Sequence, residues 1–397
     1  RGESQESHYA VEVLSVMDVL LGPVRTQVEK TYSAPFATHL FTRETIEHPD
    51  GSQSRDYPRL TYGGAHLQDP VADRGADIAQ RSLVALLQTL VATLALLFIL
   101  GTMLARRHHR PVRQALGDIL AARTSAPWRA ITLATGMVLL LVFLSVNLAG
   151  AYHVLGTDKV GQDVFYQAVK SIRTGLVIGT LTTLVMLPFA ILLGIMAGYL
   201  RGWVDDIIQY TYTTLNSIPG VLLIAAAILM LQVFIANNPE RFETTLERAD
   251  IRLLFLCMIL GITSWTGLCR LLRGESLKLR EIEFIQAAAS FGVSHARIIT
   301  RHILPNVMHI VLITVVLDFS GLVLAEAVLS YIGIGVDPTM NSWGNMINRA
   351  RLEMAREPMV WWSLMSAFIF MFVLVLAANL FSDAVRDAFD PHLRNNR

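Results

Sequence analysis

The chain has 397 residues, of which 53% are hydrophobic and only 16% are charged, and its mean hydropathy is +0.46. Ordinary soluble domains carry about 25% charged residues, so this composition excludes a typical soluble enzyme and indicates a membrane protein. The formal net charge of +1 provides no basic field for nucleic acid. The apolar residues lie in long blocks, and each block can be compared with the roughly 20 residues that cross a bilayer.

Residues 1–80 form the first region and are polar, with more acidic than basic residues. Their prolines, turn clusters and short apolar stretches predict a small extramembrane domain of mixed structure. Within this region the pair Asp50-Gly51 is typical of a hairpin turn.

Two apolar blocks follow at residues 82–105 and 131–149, and each is long enough to span a bilayer. The loop between them has one acidic residue, Asp118, and is rich in arginine: Arg106, Arg107, Arg110, Arg113, Arg123 and Arg129. The positive-inside rule places this loop in the cytoplasm and residues 1–80 outside. Because the chain would then begin outside, we expect an earlier span or a cleaved leader before Arg1.

Five further apolar blocks bring the predicted number of spans to seven; they lie at residues 174–199, 221–235, 253–271, 307–329 and 360–381. The segment between the fifth and sixth spans, residues 270–302, is also basic and supports the same orientation. Cys257 and Cys269 would lie about 18 Å apart along one helix, too far to bridge, so they are expected to be packing thiols.

The segment 283–306 combines several helix signals and has the sequence EFIQAAASFGVS-HARIITR-HILPN. It predicts a short helix rich in small residues, a Gly-Val-Ser break that can cap a second helix at Ser294, and an amphipathic turn closed by Pro305. Small side chains such as Ala287 and Ala288 permit close approach to another protein. A loop helix that merely packs on its own bundle is the alternative.

This segment resembles the EAA motif of the inner-membrane permease subunits of bacterial ABC importers. Five further segments are similar to motifs of the C-type permeases of dipeptide, oligopeptide and nickel importers, in the same order: GTDKVGQDV (156–164), GYLRGWVD (198–205), AEAVLSYIGIG (325–335), SWGNM (342–346) and DAVRDAFDP (383–391). The resemblance covers about two thirds of the chain. Gln286 stands where the EAA motif has Glu. Gln162 stands where the motif similar to residues 156–164 has Arg.

The resemblance implies an all-α polytopic membrane protein in the bacterial inner membrane. It would have a six-helix type I permease core at residues 128–397, preceded by an extracytoplasmic domain (1–80) and an extra span with a basic loop (81–127). The implied partners are a homologous B-type permease, two cytoplasmic ATPase subunits and a solute-binding protein, with peptides as the expected cargo. The chain itself would bind no cofactor or metal, since ATP and Mg²⁺ belong to the ATPases and no phosphate-binding loop is present here.

The resemblance also implies that loop 272–305 couples to the ATPase. The residues expected to carry this role are Gln286, Ala287, Ala288, Gly292, Val293, Ser294, His302, Leu304 and Pro305. Asp318 and Glu326 lie within a span, where carboxylates are costly, and are candidates for the translocation pathway or a subunit interface. For Glu326, hydrogen bonding to the following loop is the preferred alternative.

Two other functions compete with an importer subunit. The two intramembrane carboxylates would suit a secondary transporter that works on an ion gradient without an ATPase. Residues 1–80 would suit a membrane-anchored sensor that binds a ligand or the solute-binding protein.

Overall fold

A computed structural model describes residues 15–47, 53–124, 126–242 and 244–389. The chain forms two compact units, Arg1–Tyr166 and Gln167–Arg397. In chain order, the described elements are α1 (Val16–Leu20), α2 (Gly22–Thr26), β1 (Glu44–Glu47), β2 (Gln53–Asp56), α3 (Arg74–His108), α4 (Val112–Leu120), α5 (Trp128–Ala149), α6 (Val164–Leu200), α7 (Trp203–Ser217), α8 (Gly220–Asn237), α9 (Thr245–Arg280), α10 (Glu283–Ser290), α11 (His295–Ile298), α12 (Leu304–Tyr331), α13 (Trp343–Glu353) and α14 (Trp362–Phe389).

Seven helices of the described chain are long and apolar enough to cross a membrane, which confirms the predicted number of spans and the all-α membrane fold. They are α3, α5, α6, α8, α9, the helix ending in α12, and α14. Helices α3, α6 and α9 extend well beyond the apolar blocks that predicted them. With 36 residues, α9 is about 54 Å long, whereas a bilayer core is about 30 Å thick, so its ends lie outside the membrane.

The first unit contains a β-hairpin and a helical hairpin. Strands β1 and β2 pair antiparallel, with Glu44 opposite Asp56, which confirms the predicted hairpin, although Asp50-Gly51 itself lies outside the described residues. Helices α3 and α5 pack side by side, and the amide of Asn147 donates to Gln88 across them at 2.8 Å. Beyond α5, Tyr152 is fully buried against Leu67 and Ala151.

Two apolar clusters in the described part of the second unit include residues of α9. One lies where α6, α9 and α12 meet α10 and contains Met186, Leu268, Ile285 and Val311. The other joins α6, α8, α9 and the end of α12 and contains Ile178, Ile228, Leu256 and Leu329. Cys257 and Cys269 are free and buried, as predicted.

The polar connection between α12 and α14 contains the short helix α13. Ser342 caps this helix by accepting the Asn345 N–H at 3.0 Å. Trp343 is almost fully buried and donates from Nε1 to the Ala168 carbonyl at 3.0 Å. Helix α14 continues through most of the last motif, but its residues 390 and 391 lie outside the described chain. The predicted domain limits 1–80, 81–127 and 128–397 stay predictions.

Candidate coupling surface

Helix α10 packs on the bundle mainly through one line of side chains. Ile285, 1% exposed, and the half-buried Ala288 pack on the apolar cluster at this end of the second unit. Three or four residues separate neighbours on one face of a helix, so these two side chains form a single contact line. The side chains that point away from this line are exposed and are small or polar: Gln286, Ala287 and Ser290. The arrangement leaves part of the helix surface exposed.

The end of α10 is a Schellman motif. The Val293 N–H donates to the Ala288 carbonyl at 3.1 Å, and the Gly292 N–H donates to the Ala289 carbonyl at 3.0 Å. Gly292 has a φ of +77°, the left-handed conformation that the motif requires and that glycine adopts without strain. Val293 then packs on the apolar cluster beside Ala288. The predicted break after α10 is therefore confirmed.

Phe291 occupies the tip of this turn and is 87% exposed. It is the C-cap residue of α10, and its N–H donates to the Ala287 carbonyl at 2.9 Å. A phenyl ring fully open to solvent exposes apolar surface that a partner can cover. The sequence pattern did not single out Phe291, because an aromatic residue within an apolar-periodic segment is more often part of the core.

Ser294 begins α11 in an extended conformation, as predicted, although its side chain forms no cap hydrogen bond. The prediction that Pro305 closes the next turn was wrong. A π-helical turn, Ile299–Ile303, joins α11 directly to α12, and Pro305 lies in the first turn of α12. The half-buried Leu304 packs on the apolar cluster.

Aromatic and charged contacts hold the two sides of α10. On one side, the Phe284 and His302 rings lie 6.0 Å apart. On the other, a pocket of about 430 Å³ is lined by Tyr199, Arg280, Gln286 and His295 among others. Arg280 donates to the Tyr199 carbonyl at 2.9 Å, and the Tyr199 hydroxyl lies 3.1 Å from Nδ1 of His295. These contacts tie α6, α9 and α11 together around α10.

The last turns of α9 are fixed to α6 and α7. A Cβ on Gly198 would lie 2.6 Å from that of Ser276, so only glycine allows the two backbones to approach this closely. Arg273 forms a bidentate pair with Asp205, with distances of 2.6 and 2.8 Å. The Arg273 guanidinium holds the pKa of Asp205 below its ordinary value, so the pair remains ionised at neutral pH. These contacts hold the ends of α6 and α9 and the start of α7 together.

Glu326 lies at the opposite end of α12, away from α10, and is 1% exposed. Its carboxylate accepts a hydrogen bond from the Ser330 hydroxyl at 2.6 Å, and that hydroxyl accepts the Val336 N–H at 3.1 Å. Arg252 donates to the Gly335 carbonyl of the same loop at 2.9 Å. This geometry gives Glu326 the loop-orienting contacts that were the preferred alternative to lining the pathway.

Asp318 is half-buried in the middle of α12 and has no hydrogen bond or ion pair with any residue of the described ranges. A partly buried carboxylate without a partner in a membrane helix is expected to face water or another subunit. Its assignment to the pathway or an interface stays a prediction.

The sequence of this second unit matches a known family. The match to "Binding-protein-dependent transport system inner membrane component" covers residues 190–395, about half of the chain. This stretch contains α10, the Glu326 loop and α13.

Curated relatives agree with the family match. The chain is 33% identical over 248 residues to the oligopeptide transport system permease protein OppC of Mycobacterium tuberculosis, covering 62% of this chain and 79% of that protein. It is 32% identical over 243 residues to the glutathione transport system permease protein GsiD of Pectobacterium atrosepticum, covering 61% and 74%. The dipeptide transport system permease protein DppC of Bacillus subtilis is 28% identical over 244 residues, covering 62% and 70%.

Among solved structures, the inward-facing MetNI methionine ABC transporter aligns with a TM-score of 0.44 at 14% identity, covering 57% of this chain and 97% of the matched chain.

Proposed function

The chain belongs to the family of inner membrane components of binding-protein-dependent transport systems, as a permease subunit of an ABC importer, and from this premise we propose that it translocates peptides or a related solute delivered by a solute-binding protein. The names of its relatives support this cargo, because oligopeptides, dipeptides and glutathione are all peptides. The C-type motifs support pairing with a homologous B-type permease.

The ATPase subunits dock on α10 in this proposal. The observation that carries it is the exposed face formed by Gln286, Ala287 and Phe291 on a helix whose other face is fixed to the bundle. ATP and Mg²⁺ bind to the two ATPases, and this chain contributes no catalytic group.

The fixed contacts of α10 explain how ATPase movement would reach the membrane. A shift of α10 pulls Ile285 and the cluster around it, while the Arg273–Asp205 pair and the close approach at Gly198 make α6, α7 and α9 move as one body. Rigid-body movement of helices around a central site is the expected basis of alternating access in transporters.

The orientation that accompanies this function places α10 in the cytoplasm and residues 1–80 outside the inner membrane. The basic segments 106–129 and 270–302 support it, since arginine-rich loops are retained on the cytoplasmic side.

Truncating the exposed ring of Phe291 tests the docking surface. Exposed aromatic anchors at interface centres contribute at least about 2 kcal/mol, so Phe291→Ala should weaken ATPase binding about 30-fold or more. The measurement is the affinity of the purified permease complex for its ATPase subunits, together with ATP-driven peptide uptake in proteoliposomes.

Leu352→Ala is the matched control, because Leu352 is an exposed apolar residue on α13, and this variant should bind ATPase normally. Equal ATPase affinity in the Phe291→Ala variant and the unmodified chain would exclude docking at this tip. Uptake driven by an ion gradient without ATPase subunits would instead support the secondary transporter. The sensor function of residues 1–80 stays a separate prediction, tested by deleting them and measuring uptake.

A further inference from the structure

The connection between α3 and α5 carries a concentrated positive charge that the transport function does not use. Six arginines lie in this connection and in the helix turns that flank it, and all are exposed: Arg106, Arg107, Arg110, Arg113, Arg123 and Arg129. The acidic residue of this connection, Asp118, lies 3.5 Å from Arg110, and both side chains are partly open to solvent. Most of the positive charge is therefore not neutralised within the connection.

Helix α4 folds back along α3 instead of extending away from it. A Cβ on Gly101 of α3 would lie 2.7 Å from a methyl carbon of Leu116, so the two helices are in close contact there. Ala115 and Ile119 are buried on the same side of α4, whereas Leu120 is 61% exposed. The helix is thus amphipathic, with one apolar face packed on α3 and one apolar residue left open.

The contact at Gly101 fixes the depth of α4 relative to the membrane. Gly101 lies within the apolar stretch 82–105, about 6 Å before its end at 1.5 Å per residue. Helix α4 therefore lies beside the last apolar turn of α3, where hydrocarbon gives way to lipid headgroups. Arg106 and Arg107 follow immediately in the last turn of α3, and Arg129 lies in the first turn of α5.

We propose that the surface formed by the end of α3, helix α4 and the start of α5 binds the headgroups of anionic phospholipids. Charge and depth complement each other, because the arginines lie at the level of lipid phosphates while Leu120 reaches the acyl-chain boundary. Arginine forms bidentate hydrogen bonds with phosphate oxygens, and clusters of four to eight basic residues next to a span attract anionic lipids.

An acidic polypeptide is the other class of ligand that could neutralise these charges. It would not account for the position of α4, which places an exposed leucine at the membrane boundary rather than in water. The surface lies outside the segment matched by the permease family, residues 190–395, so lipid binding here is independent of the proposed transport function.

Native mass spectrometry of the full chain in a neutral detergent tests the proposal. The measured quantity is the binding preference for phosphatidylglycerol over phosphatidylcholine with the same acyl chains. The test variant combines Arg106→Gln, Arg107→Gln and Arg113→Gln. Each basic residue near a lipid surface contributes about a factor of 5 to affinity, so the preference should fall on the order of 100-fold. Higher salt should also lower the preference of the unmodified chain.

A matched variant controls for net charge. It combines Arg55→Gln, Arg74→Gln and Arg241→Gln, three exposed arginines outside this surface, and should keep the preference. The proposal is overturned if both triple variants lose the preference equally, or if the test variant keeps it, in which case binding of an acidic peptide is the next measurement. Circular dichroism of both variants verifies that the helices are retained.

Discussion

Two connections between long helices are held in place by different kinds of contact, one by buried charged groups and the other by apolar packing. The connection after α5, residues 150–163, buries charged groups, with His153 fully inaccessible between Glu29 and Asp163. The connection that contains α10, residues 281–303, is attached mainly by apolar side chains and leaves its polar groups exposed. The buried ionic groups of the first connection cannot reach a partner, whereas the α10 segment exposes polar side chains such as Gln286 and Ser290 on its surface.

The buried connection is held by an imidazolium between two carboxylates. His153 Nδ1 lies 2.7 Å from Asp163, and Nε2 lies 3.4 Å from Glu29. Burial alone would lower the pKa of His153, but hydrogen bonds and charge from Asp163 and Glu29 raise it to about 9. Burial likewise acts to raise the pKa of Glu29, yet the bond to His153 and three backbone N–H donors, at residues 61–63, lower it to about 2.

Replacing His153 by leucine should have the largest effect. The change leaves two buried carboxylates without their cation, and breaking a buried ion pair in this way costs about 3–5 kcal/mol. We expect faster hydrogen exchange and proteolysis in residues 29–63 of the full chain, measured in detergent at pH 7. His309→Leu is the matched control, because His309 is exposed on α12. Equal protection of 29–63 in both variants would contradict a stabilising role for the buried imidazolium.

A pH titration should give the next largest effect. Because the pKa of His153 is raised from 6.5 to about 9, its stabilising contribution is fully present below pH 6.5 and is lost as pH rises through 9. The difference corresponds to about 3 kcal/mol, by order of magnitude. The thermal unfolding temperature of the full chain should therefore fall more steeply between pH 7 and 10 than that of the His153→Leu variant. Parallel curves for the two proteins would show that His153 does not carry this dependence.

The comparison also shows which structural features the sequence could predict. The seven spans and the Gly292 break were predictable because apolar block length and the glycine requirement of a helix end are local properties. The His153 network was not, since Glu29 and His153 are 124 residues apart and only folding brings them together. Phe291 was missed for a related reason: periodicity indicates that a helix has an apolar face but cannot indicate that this ring lies outside it.

Replacing Gly292 by alanine should have the smallest and most local effect, and it tests the difference between the α10 segment and the buried connection. No atom lies within 4 Å of a Cβ added there, so Gly292→Ala introduces only the strain of a left-handed backbone, about 1–2 kcal/mol. Because the exposed α10 segment is attached by few contacts, this strain should open the Schellman turn without lowering the global unfolding temperature. Hydrogen exchange at the amides of Gly292 and Val293 should accelerate about 5- to 30-fold.

Gly274→Ala is the matched control for that measurement. It adds the same methyl group inside α9, where a Cβ also meets no atom within 4 Å and the helical backbone suits alanine. This variant should leave exchange in the turn unchanged and slightly stabilise α9, since alanine is favoured over glycine in helices by about 1 kcal/mol. If Gly292→Ala lowered the global unfolding temperature as much as His153→Leu, the α10 segment would be as integral to its unit as the buried connection, and the contrast between the two would fail.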